Sequence, residues 1–126
     1  MKKVLFIDDD KFYSGFLYKR AFNVRAPQIE YYTSVDISTD LLTEIKKIKP
    51  DVIVIALENE KEVESGMGII KAIRQTEEIK NVHIAALINS WANDHSPEAL
   101  KNLGIVELWD NVEMLPKQIV EKIVAM

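Results

Sequence analysis

The chain alternates between two rhythms of apolar and polar positions. Its longest apolar run, Val52-Ile53-Val54-Ile55-Ala56-Leu57, lies between Pro50-Asp51 and a polar stretch that opens at Glu58. β-Branched residues without period-2 alternation read as a strand buried on both faces, the kind found inside a parallel sheet. Shorter runs of the same type occupy Lys3–Ile7, Val82–Ile88 and Ile105–Trp109, with a weaker one over Gln28–Thr33. Between these runs apolar residues recur every three or four positions, the helical spacing. Tyr13, Leu17 and Ala21 form one such stripe, with Phe12 and Phe16 beside it; Ile37, Leu41, Ile45 and Ile48 form another. Ile69, Ile70 and Ile73 give a third, and Ile119, Val120, Ile123 and Val124 a last one.

Punctuation agrees with these rhythms. Asp10 is placed to cap the first helix, Gly15 weakens it modestly, and Pro27 marks the turn that follows. Pro50 stops the second helix. Glu58 to Ser65 carries four glutamates and reads as a solvated connection, with the third helix starting near Gly66. Ser96-Pro97-Glu98 opens a short fourth helix with a hydroxyl cap, a first-turn proline and an acid at the positive dipole end. Gly104 suits its left-handed C′ position, and Pro116 opens the last helix. Five strands alternating with five helices predict one doubly wound α/β domain over residues 1–126. The expected architecture is the flavodoxin-like (βα)5 fold in strand order 2-1-3-4-5, with the most uniformly apolar strands, one and three, at the centre.

Composition narrows the function classes. Hydrophobic residues make up 48% and charged residues 29% of the 126, ordinary globular usage. The absence of cysteine excludes disulfides and thiolate chemistry. Net charge −4 and the lack of any basic cluster disfavour a nucleic-acid partner. No apolar run approaches the roughly 18 residues of a membrane span, so a cytoplasmic location is expected.

Ligands of such sheets bind at the carboxyl ends of the strands, beside the switch point between strands one and three. Asp8 and Asp9 fall there. Adjacent carboxylates suit a hard divalent cation such as Mg²⁺; they serve equally as loop and capping acids, and both readings stay open. Asp8-Asp9-Asp10-Lys11-Phe12 offers anions where a phosphate-binding loop offers glycines, so a nucleotide binder is disfavoured. His83 and His95, the two histidines, read as structural.

Four pieces in this order resemble a response-regulator receiver domain. They are Val4-Leu5-Phe6-Ile7-Asp8-Asp9-Asp10, Lys49-Pro50-Asp51-Val52-Ile53-Val54-Ile55, Gly66 eight residues before Arg74, and Asn81-Val82-His83-Ile84-Ala85-Ala86-Leu87. The resemblance implies a domain that takes a phosphoryl group from a histidine kinase onto an aspartate ending strand three. It also implies a Mg²⁺ on the acidic pair, a hydroxyl residue ending strand four and a lysine ending strand five.

Position by position, only Asp8 and Asp9 match. The phosphoacceptor position falls on Ala56, the hydroxyl on Ile88 (or, with a register one residue off, on Leu87 or Asn89, neither of which has a hydroxyl), the aromatic switch on Leu108 and the lysine on Asn111. Ser90 could supply the hydroxyl only if strand four ran further. The loop after strand three is two residues longer than the family's usual form and lacks its proline. Losing the acceptor carboxylate together with the lysine leaves the formal charge of the pocket unchanged, and Ile88 over Ala56 would put apolar surface where polar groups face water.

The expectation is an atypical receiver-like module, not an enzyme, that is not phosphorylated at the usual site and acts by binding another signalling protein. The alternatives are a receiver switched by a divalent metal or another ligand, or an unrelated flavodoxin-like ligand-binding protein. No cofactor is required, and Mg²⁺ would bind Asp8 and Asp9 weakly, with Glu58 a third oxygen donor if it reaches back. In the family, the face made by helix four, strand five and helix five is the usual interface. Trp91, Trp109 and Met114 are candidates for it, although Trp109, on a strand, reads first as core. The same face could carry a homodimer.

Overall fold

Five parallel strands make the sheet: β1 (Lys3–Ile7), β2 (Glu30–Ser34), β3 (Val52–Leu57), β4 (His83–Ile88) and β5 (Ile105–Asp110), in order β2-β1-β3-β4-β5. The computed structural model describes residues 2–7, 17–34, 39–57, 60–88, 101–102, 104–110 and 115–126, with backbone alone at 39–40, 60–65, 88 and 110. Four helices lie within these residues: α1 (Lys19–Arg25), α2 (Thr39–Ile48), α3 (Glu60–Arg74) and a C-terminal helix (Pro116–Val124). The start of the expected fourth helix, Ser96-Pro97-Glu98, lies outside them; Lys101 and Asn102 are helical. Gly104 follows with φ +79°, its N–H donating to Lys101 O at 3.0 Å, as a left-handed C′ residue does.

All six residues of β3 are buried, which the unbroken apolar run requires. Alternate residues feed two cores. Leu5, Ile7, Ile53, Ile55, Leu57, Ile84 and Ala86 pack under Leu41 and Ile45 of α2 and Ile69, Ile70 and Ile73 of α3. Val4, Phe6, Val52, Val54, Ala56, Ala85, Leu87 and Trp109 pack under Tyr18 and Phe22 on the α1 side and Ile119, Val120 and Ile123 of the C-terminal helix. Helices therefore cover both faces of the sheet.

Two elements differ from the sequence reading. α3 starts at Glu60, so most of the supposed solvated loop from Glu58 to Ser65 is helix, and the extra loop length is taken up there. Residues 60–65 contain no glycine or proline, and glutamates favour the positive end of the helix dipole. Gly66 is thus inside α3, where it allows a close approach to β3. A Cβ built there would lie 2.4 Å from Leu57 Cδ2 and 3.3 Å from Ile55 Cδ1. The second difference is in phase. Leu17 and Tyr18 form a π turn ahead of α1, and the buried residues are Tyr18 and Phe22, with Leu17 and Ala21 only half-buried. A π turn inserts one residue per turn, which moves the buried stripe one position along. Tyr18 stacks on Phe6 with ring centroids 4.4 Å apart. Asp10, Phe12, Tyr13, Phe16 and Ile37 lie outside the described residues.

Smaller shifts have local causes. β2 begins at Glu30 because residues 27–29 turn first, with Ile29 N–H bonded to Ala26 O at 3.0 Å. β4 begins at His83 because Val82 N–H is committed to Ile79 O at 3.1 Å.

Candidate functional site

The carboxyl ends of β3, β4 and β5 bring Ala56 into register with Leu87, and Leu87 with Trp109. These three residues belong to one core cluster; Ala56 is 4% exposed and Trp109 2%. The row crossing the expected acceptor position is therefore methyl, isobutyl and indole. Ile88 is one step further along, paired with Leu57 and Asp110, so the backbone sets Leu87 rather than Ile88 beside Ala56. Leu108 points the other way and packs half-buried against the α2–α3 core. Trp109 is a core residue and not part of a surface. Its indole Nε1–H is buried and has no hydrogen-bond partner among the described residues.

Asp8, Asp9, Glu58, Ser90, Trp91, His95, Asn111 and Met114 lie outside the described residues. Among the described residues, no three His, Cys, Asp or Glu side chains gather where they could hold a metal ion. Ala56 offers a cation no side-chain oxygen, and the acidic pair to which the receiver resemblance assigns one lies outside the described residues.

His83 is exposed at the opposite, amino edge of the sheet, remote from this row. A cleft of about 560 Å³ lies at that edge, lined by Lys2, Pro50, Asp51, Asn81, His83 and Met126 among others. The strand-start backbone there is already paired. Lys3 N–H donates to Asp51 Oδ2 at 2.8 Å, Asp51 N–H to Lys3 O at 2.8 Å, and His83 N–H to Asp51 O at 3.4 Å. Lys2 Nζ donates to Ile123 O at 3.0 Å and also reaches Met126 O, tying the end of the C-terminal helix to β1. The cleft is a braced seam between strand starts.

Arg74 braces the same edge, a role the sequence reading missed although the Gly66–Arg74 spacing was part of the resemblance. Its Nη1 donates to Lys80 O at 2.8 Å and Val82 O at 2.7 Å, and its Nη2 to Gly104 O at 2.8 Å. One guanidinium thereby joins the end of α3, the approach to β4 and the approach to β5. Burial pushes its pKa below the ordinary arginine value; it remains charged, as arginine does in proteins.

Solved structures share this fold over nearly the whole chain. The signal receiver domain of a DNA-binding response regulator from Colwellia psychrerythraea 34H superposes with TM-score 0.77 at 19% identity, covering 100% of both chains. The chemotaxis response regulator CheY4 of Vibrio cholerae gives 0.76 at 22% identity, covering 99% of this chain and 98% of that one. A signal receiver domain of a two-component histidine kinase from Clostridium thermocellum gives 0.80 at 14% identity, covering 98% and 95%. The fold is the receiver fold. No protein-family model matches the sequence, and no curated protein matches it either. The likeness resides in the backbone, in which Ala56 lies near the carboxyl end of the central strand.

Proposed function

We propose that this chain is a receiver-like signalling module of the two-component type that takes no phosphoryl group at position 56 and works by binding another protein. The observation that carries this reading is Ala56, buried at the carboxyl end of the central strand in one row with Leu87 and Trp109. Phosphoryl transfer onto position 56 needs a nucleophilic side-chain atom there, and a methyl group has none. A phosphoryl group also brings about two negative charges. The side chains flanking Ala56 in its row, Leu87 and Trp109, carry no cation to meet them. Mg²⁺ binding through Asp8 and Asp9 is accordingly weak in this proposal.

The partner face proposed is the one made by β5 and the C-terminal helix. Val106 on β5 is 50% exposed, and Leu115, just ahead of the C-terminal helix, is 57% exposed. Exposed apolar side chains lose little by being covered and gain from it. The occupant proposed is a protein surface. The test is affinity capture followed by size-exclusion chromatography with light scattering. Val106→Asp and Leu115→Asp should abolish the captured complex, or a homodimer formed on the same face, while Val24→Asp on α1 leaves it intact. Equal capture by all three variants would exclude this face.

A further inference from the structure

We draw no further inference here: the strongest candidate, the indole N–H of Trp109 in the core at the carboxyl end of β5, which has no partner among the described residues, lies in a cluster of packed core side chains, and nothing among those residues shows what acceptor would meet it.

Discussion

At position 56 the magnitudes favour the methyl group. Moving an ionised carboxylate into a packed apolar row is costly unless it is paired, and the group instead raises its pKa or finds a cation. Ala56→Asp should therefore lose stability at neutral pH, by roughly 1–3 kcal/mol. A carboxyl whose folded pKa is raised destabilises further once ionised, so the loss should shrink as pH falls toward 4 and be full at pH 7. Mg²⁺ should restore part of it at pH 7 if Asp8 and Asp9 join the new carboxylate, since a ligand of the folded state stabilises by mass action. Thermal melts at both pH values, with and without Mg²⁺, read all three effects. A variant as stable as the wild type at pH 7 without Mg²⁺ would mean that position 56 is already a polar site. Trp109 adds a second residue-scale test. An unsatisfied buried donor costs about 1–3 kcal/mol, while trimming the indole to a phenyl ring leaves a cavity of comparable penalty. Trp109→Phe should thus change stability by less than about 1.5 kcal/mol, far below the usual loss for truncating a core tryptophan.

The helices show which features are legible in a sequence. α2 was readable because Leu41, Ile45 and Ile48 keep period and Pro50 follows. Its end holds a detail that periodicity cannot express: Lys49 adopts φ +53°, the left-handed region that favours glycine. Lys49→Gly should stabilise by about 0.5–1 kcal/mol, seen as a raised denaturation midpoint at constant slope. The first turns of α3 were illegible as helix because Glu58 to Ser65 offers one apolar residue, Val63, and no stripe. Charge at a helix start satisfies the dipole without leaving a hydrophobic signature. Gly66 and Gly68 separate the consequences. Gly66 faces Leu57 and Ile55, so Gly66→Ala overpacks the contact and should cost about 1–3 kcal/mol. Gly68 is exposed with open space at its Cβ, so Gly68→Ala should stabilise by up to about 1 kcal/mol. If both substitutions moved the melting temperature the same way, the packing of α3 on β3 would be misassigned. The π turn at Leu17–Tyr18 was equally hidden, since period counting assumes a constant rise and phase.

For the whole molecule, strand order and helices on both faces followed from sequence because buried parallel strands write themselves as apolar runs. The candidate site was legible only at Ala56, where counting along a run is enough. Its neighbours depend on register, which fixes Leu87 and Trp109 beside it and is set by side chains distributed over the whole sheet. Arg74 was invisible for the same reason, because its acceptors at Lys80, Val82 and Gly104 converge only after folding. Arg74→Ala should destabilise by roughly 1–3 kcal/mol. Arg74→Lys should recover only part of that loss, because a single ammonium cannot reproduce the planar fork. The central claim, a receiver fold that signals without phosphate at position 56, reduces to one measurement on the unaltered chain. Incubated with acetyl phosphate and Mg²⁺, it should show no added phosphoryl mass and no amide shifts along β4 and β5 in NMR spectra. A stable phosphoryl adduct accompanied by shifts around Leu87, Leu108 and Trp109 would contradict the account.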